Sequence, residues 1–228
     1  MTGSPGQGAA ATRARRLGPV LLGAYALLWL TLAIAPRYRE DWLLENLLVL
    51  GALPWLVHKW RTAPFSDLAW IGLFAFFSLH AIGAHYTYSE VPYDAFWQAL
   101  TGGPLDGSAA GLARNDYDRM VHFAYGLLVV PAADELIARA AAPRGIWRSL
   151  LPWCFLCSHS VVYELVEWGA ALLFGGDLGE AYLGTQGDVW DAQKDMALAA
   201  TGAGLGLLLL RAAAPVATGT DARWPGSG

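Results

Sequence analysis

Ser160-Val161-Val162-Tyr163-Glu164-Leu165-Val166-Glu167-Trp168-Gly169-Ala170-Ala171-Leu172-Leu173-Phe174 closes an apolar run that begins at Trp147. A helix rises about 1.5 Å per residue, so about 20 residues cross the hydrocarbon core of a bilayer. The run predicts a membrane-spanning helix, yet two glutamates stand inside it. Ser160, Glu164 and Glu167 fall at i, i+4 and i+7 and share one stripe, with Trp168 a turn from Glu164. Exposing both carboxylates to lipid costs several kcal/mol on insertion scales. The stripe therefore faces the interior of a bundle, where each acid needs a partner, a cation or a task.

The rest of the chain has the same character. Of 228 residues, 55% are hydrophobic and 15% charged, against about 25% charged in soluble domains. That balance excludes an ordinary soluble domain. Six apolar segments follow one another, at about 17–35, 42–58, 67–85, 118–140, 147–174 and 192–211. They predict an all-α polytopic membrane bundle, one domain over 17–211. Residues 1–16, with Arg13, Arg15 and Arg16, read as a disordered basic arm, and 212–228 as a disordered tail. Ala33-Ile34-Ala35 mimics a signal-peptide cleavage site. The apolar run before it exceeds the usual length of about 7–15 residues, so the segment reads as a retained first helix. Cys154 and Cys157, spaced C-x-x-C inside an apolar run, read as buried packing residues and not as a redox pair.

Lysine and arginine give an orientation with both termini in the cytoplasm. The cytoplasmic layer then holds ten bases and four acids, a net +6, and the other layer five bases and fifteen acids, a net −10. The formal charge of −4 hides this polarity. A negative outer mouth attracts cations over about 8 Å at physiological salt. In the longest outer loop Tyr93, Phe96, Trp97 and Leu100 recur at helical spacing after Pro92, which predicts a short amphipathic helix at the interface, an anchor or a lid.

Further ionisable groups join Glu164 and Glu167 on the same side. Asp118 and His122 stand one turn apart at the start of the fourth segment. A carboxylate so placed can fix the tautomer of an imidazole or ligate a metal beside it. Asp188, Asp191 and Asp195 form an acidic stripe entering the sixth segment. Helix capping accounts for Asp188 or Asp191, but less well for the deeper Asp195. His85 closes the third segment, and Glu45 of the second is a candidate partner behind the site. His80 and His159 read as satisfied interior histidines.

The set His85, Asp118, His122, Glu164, Glu167, Asp188, Asp191 and Asp195 is thus a candidate metal site, with His122, Glu164 and Glu167 as candidate catalytic groups. Two histidines with carboxylates suit Zn²⁺, Mn²⁺ or Fe²⁺, and carboxylates alone Mg²⁺ or Ca²⁺. No H-E-x-x-H element, phosphate loop or nucleic-acid motif is present. The expected partners are membrane lipid and a lipid-linked substrate, with no nucleic acid. The oligomeric state is not readable.

The ordered elements His85-Tyr86-Thr87-Tyr88, Asn115-x-Tyr117-Asp118-Arg119 with His122-Phe123, Glu164-x-x-Glu167-Trp168 and Gly187-Asp188-x-Trp190-Asp191 resemble the YjdF-type family of bacterial inner-membrane proteins. The resemblance spans roughly residues 20–210 and implies a topology and a site without an established activity. The Asp118–Phe123 element is also similar to that of VanZ-like membrane proteins, which implies a link to the cell envelope. There Glu-x-x-Gln is common where this chain has Glu164-x-x-Glu167. Three functions follow as expectations: a metal-dependent hydrolase or transferase at the outer leaflet, a proton- or cation-coupled transporter, and a structural or interaction protein.

Overall fold

A computed structural model describes residues 5–103, 114–174 and 183–213. Among these the chain forms α1 (Pro5–Leu32), α2 (Arg39–Thr62), α3 (Asp67–Tyr86), a 3-10 turn (Tyr88–Glu90), α4 (Tyr93–Thr101), α5 (Tyr117–Ala141), α6 (Trp147–Phe174) and α7 (Asp191–Ala213), with no strand. Each expected apolar segment is a helix. α1 begins at Pro5, within the stretch expected as a disordered arm. Alanine and arginine, which dominate residues 9–16, are good helix formers. The expected tail lies outside the described residues from 214 on, as do 104–113 and 175–182 of the two longer loops.

α3, α5, α6 and α7 are long and apolar enough to cross a membrane, and α1 adds the shorter apolar stretch Leu17–Leu32. α2 is also long, at 24 residues, but carries Glu40, Asp41, Glu45, Lys59 and Arg61. Large apolar side chains such as Leu165, Leu172, Leu173 and Leu208 point outward. A helical bundle that satisfies its own backbone hydrogen bonds can present such a surface to lipid.

α5 lies at the centre, against α3, α6 and α7, and α3 carries α1 and α2 on its far side. The core is aromatic: Trp70 packs edge-on to Phe65, and Phe76 packs on Phe77 and Tyr125. Ser66 caps α3 by accepting from the Ala69 amide. The end of the bundle where α5 and α7 finish is basic. There buried Asp134 accepts from both Arg148 and Arg211, which ties α5, α6 and α7 together. Arg139 binds Glu135 and the carbonyls of Ala63 and Pro64.

Two sequence expectations differ from the fold. Cys154 and Cys157 are free as expected, but Cys154 is exposed because its position on α6 faces away from α5 and α7. His80 is buried, whereas His159 is exposed and stacks on Tyr125 along the wall of a cavity.

Candidate functional site

The site is set by how closely α5 and α7 approach. A Cβ built on Gly126 would lie 2.0 Å from the carbonyl oxygen of Ala199, and one on Gly202 2.2 Å from that of Phe123. Only glycine lets the two backbones meet this way, a means of helix association common in membranes. His122 is one turn before Gly126, and Asp195 one turn before Ala199. Glycine contact therefore brings their side chains together.

Asp118, His122 and Asp195 each offer a ligand atom, and these atoms lie within 4.8 Å of one another. Glu164 of α6 joins them: its Oε1 is 3.4 Å from His122 Nε2, which is 3.5 Å from Asp118 Oδ1. His122, Asp195 and Glu164 are buried. Asp195 Oδ1, Glu164 Oε1 and Ser160 Oγ have no hydrogen-bond partner among the described residues. Buried polar atoms are normally satisfied, so a cluster of orphans is what a site that takes up water or an ion leaves when empty. Asp118, His122 and Asp195 are residue types that can hold a metal ion.

Behind this cluster lies a second set of buried acids. Tyr163 donates to Glu45 Oε2 at 2.9 Å, and Glu167 is buried one turn from Tyr163. His80 Nε2 lies 3.2 Å from the Glu45 carbonyl, and its Nδ1 2.5 Å from the Tyr88 hydroxyl. A carbonyl can only accept, so Nε2 carries the proton and Nδ1 accepts from Tyr88. Thr87 sits at φ 57, a left-handed conformation unusual for a β-branched residue. Its hydroxyl donates to buried Asp41 at 2.6 Å, which holds the turn in place.

Over the cluster sits a layer of ion pairs. Arg114 reaches Asp191 at 2.5 Å and Asp116 at 3.4 Å. Arg119 bonds Asp116 at 3.0 Å and also Asp188, which Lys194 contacts at 2.5 Å. Asn115 and Gln186 exchange two hydrogen bonds of 2.9 Å, linking the start of α5 to the segment before α7. Lys194, then the Trp190 amide, hold the Asp188 carboxyl down from 3.8 to about 2. A depressed carboxylate stabilises above its unfolded value and loses that contribution as pH falls through its folded value. Protection of the Trp190 amide, which donates to Asp188 at 3.1 Å, is thus expected to be constant above about pH 4 and to fall between there and pH 2. Hydrogen exchange corrected for intrinsic rate measures it.

The eight sequence candidates thus divide. Asp118, His122, Asp195 and Glu164 converge. Glu167 stands behind them with Glu45. Asp188 and Asp191 belong to the ion-pair layer, although Asp191 keeps one oxygen, Oδ2, without a donor. His85 is elsewhere: its Nδ1 meets the Leu32 carbonyl at 2.7 Å and its own carbonyl accepts from the Arg37 amide at 2.8 Å. It fastens α3 to the end of α1. Arg114 and Tyr163 were not singled out from the sequence. Arg114 lies outside any periodic segment, and its pairing with Asp191 spans 77 positions.

A family described as "predicted membrane protein (DUF2238)" matches residues 18–214. The chain belongs to this family. It is also 34% identical over 195 residues to the inner membrane protein YjdF of Escherichia coli (strain K12), covering 83% of this chain and 88% of that one. No solved structure matches. The chain is an inner-membrane protein with several apolar helices. The matched range contains every residue of the cluster and of the ion-pair layer above it.

Proposed function

We propose that the chain spans the inner membrane six times with both termini in the cytoplasm. Its acid/histidine site lies near the extracytoplasmic face, binds a divalent metal and acts on a lipid or cell-envelope precursor as a hydrolase or transferase. The observation that carries this is the convergence of Asp118, His122 and Asp195 within 4.8 Å. Their mixed nitrogen and oxygen donors suit Zn²⁺, Mn²⁺ or Fe²⁺. A bound ion would supply Lewis acidity and a reactive water. Glu164, 3.4 Å from His122, would serve there as the general base. Glu167 stands on the same stripe of α6 about one turn from Glu164. The distribution of lysine and arginine supports the orientation, and α4, with Phe96, Trp97 and Leu100 exposed, suits a helix lying in the membrane interface. The test is metal analysis of purified protein after dialysis against metal-free buffer. About one equivalent of metal is expected, and its absence after reconstitution with Zn²⁺, Mn²⁺, Fe²⁺ and Mg²⁺ would refute the reading.

One observation favours a second reading, a proton- or cation-coupled transporter. Two cavities share Leu48, Phe76, Tyr125 and His159 in their walls. One reaches Asp118 and His122, and the other extends to Ala133 and Leu136 toward the basic end. In this case flux into proteoliposomes is expected to vanish in Glu164→Gln with Glu167→Gln. Undiminished flux would end that reading.

A further inference from the structure

The two cavities that meet at Leu48, Phe76, Tyr125 and His159 form one groove along the side of the bundle. Its floor is made by α3 and α5. α2, with Ala52 and Trp55, lines one wall, and α6, with Phe155, lines the other. α2 packs on α3, and α6 on α5 and α7. The Tyr163–Glu45 bond of 2.9 Å joins α2 to α6 at the acidic end. Nearer the basic end Trp55 and Phe155 are exposed at the two rims, so the groove opens sideways to lipid.

The groove changes character along its length. Its upper part, about 40 Å³, is lined by Asp118, His122, Ser160 and Tyr163 and has room for a few water molecules. Its lower part is larger, about 240 Å³, with no acid, lysine or arginine among its described lining residues. Ala132 and Ala133 on α5 and Ala52 on α2 keep this part wide. It offers no fixed charge to an ion. Hydrocarbon fills such a space without leaving a polar group unsatisfied, and in a bilayer van der Waals packing drives the filling.

Length decides the class of hydrocarbon. The stretch of α5 from Asp118 to Leu136 rises about 27 Å at about 1.5 Å per residue. The hydrocarbon core is about 30 Å thick, so an acyl chain anchored at one face reaches about 15 Å. A phospholipid tail that starts at Asp118 therefore ends near Leu128 and leaves Ala132, Ala133 and Leu136 uncovered. A single chain that fills the whole groove passes the midplane of the bilayer.

We infer that the groove holds the chain of a polyprenyl lipid, with a small oxygen head beside Asp118 and His122 and the tail between Ala52 and Leu136. The inference rests on the reading of the site as one that acts on a membrane lipid, and names the class of that lipid. It requires no metal for binding.

The experiment uses the full-length protein in detergent. The probes are alcohols, because the carboxylates around Asp118 repel an anionic head in metal-free protein, whereas a hydroxyl can donate to them. Undecaprenol and farnesol, each with a diazirine at the tail end, are irradiated with the protein, and labelled peptides are mapped by mass spectrometry. Undecaprenol is expected to label residues 52–56 and 129–136. Farnesol, too short to pass the midplane, is expected to label around Tyr125 and His159. Ala52→Phe sets a ring across the lower groove. It is expected to lower undecaprenol labelling of 129–136 by about fivefold or more, since a filled groove has no room for the chain. Leu208→Phe, on the outer face of α7, is expected to change nothing. Equal labelling of 129–136 by both alcohols, or labelling spread evenly over the outer faces of α6 and α7, would mean ordinary boundary lipid and overturn the inference. Labelling unchanged in folded Ala52→Phe would do the same. The contrast between the two alcohols in wild type decides the matter even where that variant does not fold. Metal content is measured on the same samples. Wild-type protein that holds metal without a chain-length preference loses this inference alone, and protein with the preference but no metal loses the metal reading alone.

Discussion

Replacing His122 by alanine or Asp195 by asparagine is expected to weaken binding of Zn²⁺ or Mn²⁺ by about 100-fold or more. Residues that only orient a metal ligand cost about 10–100-fold when changed, so loss of a direct ligand belongs at or beyond the top of that range. Asp195→Asn keeps shape and packing and removes only the charge and one strong donor atom. It separates ligand loss from collapse of the α5–α7 contact. Asp188→Asn serves as the contrast, because Lys194, Arg119 and the Trp190 amide already occupy Asp188. Its affinity is expected to stay within a few-fold of wild type. Calorimetric titration reads affinity directly. Thermal unfolding reads it independently, since a ligand at 100 times its Kd stabilises by about 2.7 kcal/mol. That gain is expected in wild type and in Asp188→Asn and absent from the two ligand variants. Equal stabilisation of all four proteins would place the ion elsewhere.

Helical spacing carried the helices and part of the site because both depend on local order. An apolar run of spanning length has few other uses, and i, i+4 spacing puts Asp118 under His122 in any helix. The 195 position was legible for a related reason: it lies a turn deeper than a cap residue can, so capping did not absorb it. What local spacing cannot show is the partner. Asp188 and Asp191 look like Asp195 in the sequence, but Arg119 and Lys194 hold Asp188 and Arg114 holds Asp191. Those arginines reach across 69 and 77 positions. His85 likewise sits at the expected depth, and only the return of α1 beside α3 assigns it to the Leu32 carbonyl. His159 reads as interior because its segment is apolar, yet its side of α6 borders a cavity. The buried Asp41–Thr87 bond depends on a left-handed turn at a threonine, which propensity disfavours.

The second large effect is expected from Gly126→Ala, a change of one methyl group. In an exposed helix alanine is favoured over glycine by about 1 kcal/mol, and Gly23→Ala, where an added Cβ meets nothing within 4 Å, is expected to be neutral or mildly stabilising. At Gly126 the same Cβ would stand 2.0 Å from the Ala199 carbonyl oxygen and 2.6 Å from the Ala203 nitrogen. Both neighbours are backbone, so no side chain can turn aside, and relief comes only by moving α7 away from α5. Overpacking of a core costs about 1–3 kcal/mol, and a clash between two backbones belongs at the upper end. The same movement draws Asp195 away from Asp118 and His122. Gly126→Ala is therefore expected to lose stability and metal affinity together, although residue 126 is not a ligand. Asp195→Asn is expected to lose affinity with little change in the stability of the metal-free protein. Thermal unfolding of metal-free Gly126→Ala and Gly23→Ala in the same detergent decides the matter. Equal midpoints would mean that α5 and α7 do not meet at Gly126, and the approach that assembles the site would have to be sought elsewhere along the two helices.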